Sequence, residues 1–548
     1  MPFCENCGYK VLDSDRFCEN CGHKLPYDES VNKDDFRSED YDMPMQLFAQ
    51  PDWKKEWKSF VQKHKDATYG IILTRIGNCP ALLSKAYKDA LRHYVAARAS
   101  DNVFYCVLFT DTQVVKPVRR NTQLAEVDFV VDILQDIANV APPHCIMIVG
   151  DRDTVPSIKW ANALHDPNMQ CGDRDKIVDS DLPYVKLDVK SPFENTSFKH
   201  AIAVGRIPSM ALTGFAEAQV YFEHAIKHSH QSHAINALVL TAREWKLTSQ
   251  LSYQDIQSSF HTCPTDSFIP NPKLRLLDNN TNHNLLCFNL HGCHDGYGGP
   301  RDYWLNSDGD LAYSPNTLPA SPEVSYVIST EACYGAKPFI RDGYKQSTLM
   351  TALQNRCIGY LGSTQIAYGA TDMFIEYGNA KPMAADVMSG TFAKYVCQGC
   401  STGYAYIQAL AAVAAEAKRA SGNFVSEEIK TICSFALYGD PTLSLSGQSN
   451  QKSVVPDGST THINIVMPDV KRAVEMRIAK VSEEIARRVD LHVKTNYAEF
   501  SNVTPTYYKV KHFDGYKASY AKTNDDITRI LNLYFGDDGQ VINTYTTK

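Results

Sequence analysis

"CFNLHGCHDGYGG", Cys287 to Gly299, decides how the rest of this chain is read. An apolar run of strand character ends at His291-Gly292, and Cys293, His294 and Asp295 crowd in behind it. "SYVISTEACYGA", Ser325 to Ala336, is built the same way, with an apolar strand followed by Cys333 among small neighbours. Each strand stops at a residue suited to proton transfer or nucleophilic attack. That predicts an α/β protein with its chemistry at the strand ends.

The pattern extends outward from these two stretches. Between Tyr69 and Gly447, apolar runs such as YGIILT, HCIMIVG, HAIAVG and NALVLTA alternate with helical stretches, including Ala81 to Ala99 and Gln123 to Asn139. Continuous apolar strands between helices predict a mostly parallel sheet flanked by helices on both faces, here over residues 51–447.

Both ends of the chain differ from this middle. CENCG occurs at Cys4 to Gly8 and again at Cys18 to Gly22. Two such knuckles predict a small zinc ribbon over residues 1–26, with Cys4, Cys7, Cys18 and Cys21 as a closed, structural shell around Zn2+. Residues 27–50 are acidic and aperiodic, as in a linker. Beyond Gly447, Val470, Val474, Ile478, Val481, Ile485 and Val489 recur at helical spacing, and strand-like segments follow. A separate α+β domain is expected over residues 455–548.

Composition narrows the function. A net charge of −7 over 548 residues argues against a nucleic-acid partner. No apolar run approaches the ~18 residues of a membrane span. The opening MPFCENCGYK lacks the charged lead and apolar segment of an export signal, so a cytoplasmic location with reduced cysteines is expected.

A cysteine peptidase needs a thiolate, a nearby imidazole and backbone N–H donors for the oxyanion. Cys333 and His291 supply the first two if their strands are neighbours, and the amides of Gly292 and Cys333 are natural oxyanion donors. A metal site is the rival reading, since His291, Cys293 and His294 all favour zinc. Three ligands so close together at a strand end would strain a tetrahedral shell, and no second cluster offers a fourth.

Residues Tyr69 to Leu445 resemble the gingipain-type cysteine peptidases, of the larger group that contains caspases and separase. The resemblance rests on His291-Gly292 and Ala332-Cys333, with IMIVGDRDTVP, DSDLPYVKLD, AVGRIPSM, YLGSTQIAYG and ALYGDPTLSL around them. It implies a caspase/gingipain-like fold acting on protein or peptide substrates, with Cys333 as nucleophile and His291 as general acid/base. It also implies Glu244, in ALVLTAREW, as a carboxylate close to the histidine. Asp255, in YQDIQ, would floor a pocket for an Arg or Lys side chain, with Tyr368 as its aromatic wall. Calcium sites occur in such relatives, but no ligands map here.

The departures from the family matter as well. Gingipain-type enzymes are typically exported, with a propeptide and an immunoglobulin-like domain, whereas this chain carries a zinc ribbon and an unrelated C-terminal segment. Limited, regulated cleavage inside a cell is the expectation, with partners docking through the ribbon or the C-terminal domain. Two other readings stay open: an inactive scaffold that keeps the fold, and a transpeptidase or ligase using the same dyad.

Overall fold

The computed structural model describes residues 39–111, 126–162, 164–165, 173–187, 196–197, 201–229, 234–242, 245–259, 268–270, 283–292, 304–305, 311–313, 324–338, 347–370, 381–421, 426–447, 464–465, 476–510, 513–524 and 527–547. The chain divides into two compact units, Met1–Met43 and Pro44–Lys548. The four ribbon cysteines lie outside the described residues, as do Glu244, Cys293 and His294.

The second unit is organised by a ten-stranded sheet. In chain order its strands are β1 (Thr68–Thr74), β2 (Val103–Phe109), β3 (Cys145–Val149), β4 (Ala203–Ile207), β5 (Ala237–Thr241), β6 (Phe268–Pro270), β7 (Leu285–Asn289), β8 (Tyr326–Thr330), β9 (Cys357–Ser363) and β11 (Phe435–Gly439). The two-residue β10 (Tyr368–Gly369) belongs to a second sheet. Every residue of β1, β3, β4, β5, β7, β8, β9 and β11 is buried, which is why these strands read as unbroken apolar runs.

Spatially the order is β2-β1-β3-β4-β11-β9-β8-β7-β5-β6. The first five strands run parallel to one another, and so do the last five. The halves meet antiparallel at β9 and β11, with Ser363 opposite Phe435. This reversal places the site. The carboxyl ends of β5, β7, β8 and β9 share one end of the sheet, and the start of β11 joins them there. The helix Ser426–Ser434 leads directly into β11, so its residues reach the same end.

Two expected boundaries shift. Met45, Leu47 and Phe48, assigned to the linker, are buried, with Phe48 tilted against Trp53 and Trp57 at 6.2 and 5.6 Å. The apolar residues in an otherwise acidic stretch are the part that packs. The expected C-terminal helix also begins later, at Glu483–Asn496, while Met476–Ile478 is a strand, β12. Ser482 caps the helix by accepting a hydrogen bond from the Ile485 amide, and Glu483 and Glu484 occupy the first turn. Cap and acidic turn fix the start, overriding an apolar spacing that runs through Ile478.

The C-terminal strands β13 (Thr506–Val510), β14 (Tyr516–Asn524), β15 (Ile527–Phe535) and β16 (Val541–Thr547) join β12 and β10 in a six-stranded sheet ordered β10-β16-β15-β14-β13-β12. Val489 and Val493 of the helix pack with Tyr520, Leu531, Leu533 and Phe535 of the sheet. The sheet is not self-contained, because its edge strand β10 comes from the segment just after β9.

Candidate active site

The ladder between β7 and β8 brings the two quoted stretches together. Cys287 pairs with Ser329 and Phe288 with Thr330, in parallel register, and the Glu331 amide then donates to the Phe288 carbonyl at 2.8 Å. Three residues further along each chain stand His291 and Cys333. Gly292 confirms the approach: a Cβ built there would lie 1.7 Å from the Cys333 carbonyl oxygen and 2.7 Å from its amide nitrogen. Only glycine allows the two backbones this close.

His291 is 2% exposed and Cys333 5%. His291 sits in the short strand His291–Gly292, opposite Leu305. Trp245, just beyond β5, meets its ring edge-on at 4.4 Å and an interplanar angle of 63°. Three neighbouring strand ends therefore converge, since β5, β7 and β8 are adjacent in the sheet.

The loop that carries Cys333 is held by a dense set of bonds. Cys333 Sγ accepts a hydrogen bond from the Ala367 amide at 3.4 Å and lies 3.7 Å from its carbonyl oxygen. Tyr334, directly after the cysteine, has φ +56°, a left-handed conformation that costs a bulky residue about 1 kcal/mol or more. Its amide donates to the Gln365 carbonyl at 2.9 Å and its hydroxyl to Asp175 Oδ1 at 2.7 Å, bonds that hold the turn in place. Burial pushes the Cys333 thiol up to about 12, against the opposing pull of the Ala367 amide and Lys430. The thiol therefore rests protonated at neutral pH.

Behind this loop lies a buried ionic hub. Lys430 binds Asp173 in a short contact and Asp175 at 2.8 Å. Asp175 Oδ2 accepts the Ile366 amide at 2.8 Å, and Asp173 Oδ2 accepts the Tyr368 hydroxyl, also at 2.8 Å. Burial raises the Asp173 carboxyl above its usual range even against Lys430. At Asp175 burial acts in the same direction, but Lys430 and the hydrogen bonds win and the carboxyl falls below its usual range. On the other side of the loop, buried Glu331 accepts the Tyr253 hydroxyl at 3.0 Å.

The structure gives two expected pocket residues other surroundings. Tyr368 is 1% exposed, with its hydroxyl on Asp173 and the Lys430 ammonium 5.5 Å from its ring centroid. In this structure it braces Asp173 and Lys430 beneath the Cys333 loop. Asp255, on the short helix Gln254–Ser259, forms a 2.6 Å ion pair with Lys394 of the helix Ala385–Cys397. Its side chain is 48% exposed. A substrate cation would have to displace that lysine. Among the described residues no group of three or more His, Cys, Asp or Glu is arranged to hold a metal ion, so the calcium expectation gains no site.

Sequence reasoning missed Asp173, Asp175, Lys430, Glu331 and Trp245. Alternation was the available signal for the acids, since residues two apart in an extended chain share a face and "CGDRDK" places two carboxylates that way. Lys430 gave no signal, because its burial depends on the reversal between β9 and β11.

No curated protein matches the chain. A solved structure described as that of a protease is 11% identical, covering 88% of this chain and 91% of its own, with a TM-score of 0.42. The Saccharomyces cerevisiae separase–securin complex is 10% identical, covering 75% of this chain and 26% of its own, with a TM-score of 0.29. Residues 3–25 match a zinc-ribbon domain that spans Cys4, Cys7, Cys18 and Cys21. No helix among the described residues is long and apolar enough to cross a membrane. Residues 63–446 match peptidase family C25 over well more than half of the sequence, and that span contains both strand ends and the hub behind them. The chain belongs to peptidase family C25.

Proposed function

We infer that the protein is an intracellular cysteine endopeptidase that cuts its protein substrates in a limited way. The observation that supports this most is the matched pair of strand ends, where Gly292 presses His291's chain against the backbone of Cys333. Cys333 attacks the scissile carbonyl and His291 manages its proton, while the amides of Gly292 and Cys333 hold the oxyanion. Because burial keeps the thiol protonated, deprotonation accompanies substrate binding and no thiolate is stored beforehand. His291 then protonates the leaving amine and activates the water that releases the acyl group. Glu244 is assigned to the catalytic group on the family resemblance alone. Asp255 receives an Arg or Lys side chain once Lys394 yields, with the basic group paired to its carboxylate. The ribbon holds a structural Zn2+ on its four cysteines and serves as a docking module.

The test is cleavage of fluorogenic peptides that differ only at the residue before the scissile bond, with Cys333→Ala as control. Turnover lost in the mutant supports the dyad, and preference for Arg or Lys supports Asp255. Turnover that survives Cys333→Ala sinks the reading. An active-site-directed alkylating peptide that leaves Cys333 unlabelled would favour an inactive scaffold instead. Peptide products extended by an added amine would favour a transpeptidase.

A further inference from the structure

The C-terminal sheet reaches the nucleophile by two routes. The first is direct, because β16 pairs antiparallel with β10, Thr547 opposite Tyr368 and Thr546 opposite Gly369. Tyr368 immediately follows Ala367, whose amide and carbonyl flank the Cys333 sulfur. The second runs through the helix Ser426–Ser434. Glu427 on this helix is wholly buried, and its carboxylate accepts bonds from Lys517 at 3.1 Å, Asn532 at 2.8 Å and the Tyr534 hydroxyl at 2.7 Å. Glu428 accepts the Tyr545 hydroxyl. All four donors belong to β14, β15 and β16. One helical turn past Glu427, Lys430 grips Asp173 and Asp175. Those two carboxylates hold Ile366 and Tyr368, the residues on either side of Ala367, and Asp175 also holds Tyr334.

We propose that the C-terminal sheet is a positioning element of the catalytic site, setting the 366–369 segment against Cys333 through Glu427, Glu428 and the Asp173–Asp175–Lys430 hub. A buried carboxylate with three side-chain donors cannot give up one without a desolvation cost, so the sheet dictates where the helix sits. A displacement of that helix moves Lys430 and both aspartates with it. The kinetic arm of the test rests on the peptidase reading, and the chemical arm does not.

The experiment uses the full chain with Tyr534→Phe, Tyr545→Phe and the double variant, each removing only a hydroxyl. Arg487→Ala is the control, since that side chain is 81% exposed. Iodoacetamide labelling of Cys333 is followed by peptide mass mapping well below the unfolding temperature, with buried Cys106 and Cys145 as internal references. The double variant is expected to speed labelling of Cys333 at least fivefold relative to both references, as the segment loosens. In the same variant kcat falls about tenfold with KM within twofold. Lys430→Arg should restore most of what Lys430→Met loses. Labelling of Cys333 that rises no more than that of Cys106 and Cys145 overturns the proposal, as does a kcat within twofold of wild type. If the wild-type chain shows no turnover, the peptidase reading fails by itself and the labelling comparison still decides this proposal.

Discussion

Two buried clusters of tyrosines and ion pairs are built into this sheet, and they do different work. At the turn after β11, Asp440 accepts the hydroxyls of Tyr94 at 2.5 Å and Tyr105 at 2.6 Å, the Thr442 amide at 2.8 Å, and lies 3.4 Å from Arg98 Nε. Its amide in turn donates to the Tyr221 hydroxyl at 2.6 Å. The bonds leading out of that cluster end on Asp101, Ile358 and Thr402, none of them beside Cys333. The Asp173–Asp175–Lys430 hub has the same chemistry but hands its remaining bonds to Tyr334, Ile366 and Tyr368, the residues around Cys333 and Ala367. A buried ionic cluster is thus structural or functional according to where its outward bonds end.

The strongest way to break this contrast is to remove the groups proposed to react. Cys333→Ala and His291→Ala should each lower kcat/KM by on the order of a thousandfold or more while thermal unfolding stays near wild type. In the Cys333→Ala background, changes in either cluster can then register only as stability. Turnover within tenfold of wild type in either variant would mean that the hub guards something other than the reacting centre.

A second test uses the pH dependence of labelling. A thiol raised to about 12 is almost wholly protonated between pH 7 and pH 10, so its thiolate fraction grows about tenfold with each unit of pH. Iodoacetamide labelling of Cys333 in the substrate-free enzyme should climb steadily across that range, without a plateau. A flat profile near pH 7 would reveal a stored thiolate and make the hub an activator of the sulfur.

Swapping the damage between the clusters sharpens the contrast. Asp440→Asn leaves buried Arg98 with Asp101 as its remaining counter-charge and weakens the acceptor that Tyr94 and Tyr105 share, so it should cost about 2–3 kcal/mol of stability, while the folded molecules turn over within twofold of wild type. Asp175→Asn keeps one acceptor and leaves Lys430 with Asp173, so the stability cost is about 1–2 kcal/mol. Its kcat should nevertheless fall about tenfold. Denaturant unfolding and steady-state kinetics on both variants separate the two quantities. Parallel losses in both would erase the distinction.

What the sequence made legible follows from range. Unbroken apolar strands, the His291-Gly292 and Ala332-Cys333 strand ends and the family resemblance are local or ordered along the chain, and they were enough for the fold and for the meeting of those two strand ends. The hub was not legible, because Asp173, Tyr334, Tyr368 and Lys430 meet only through the β9–β11 reversal. Tyr368 shows the limit, since an aromatic at the expected position is recognisable but whether it faces a pocket or a buried aspartate is decided by tertiary packing. The C-terminal helix failed for a different reason. Apolar spacing alone runs on across Ile478, whereas the Ser482 cap starts the helix at Glu483.

The smallest effect concerns Asp255, whose ion pair with Lys394 is part-exposed and lies outside both clusters. A pair this accessible contributes little stability, on the order of 1 kcal/mol or less. If Asp255 receives the substrate's basic side chain, Lys394 competes for the same carboxylate. Lys394→Met should then lower KM for Arg-containing peptides about two- to fivefold with kcat unchanged, and Asp255→Asn should remove the preference for Arg over a neutral residue. The sign of the first change carries the information. A rise in KM would make Lys394 a substrate contact in its own right, and an unchanged KM with unchanged selectivity in Asp255→Asn would return this ion pair to the solvated surface of its two helices.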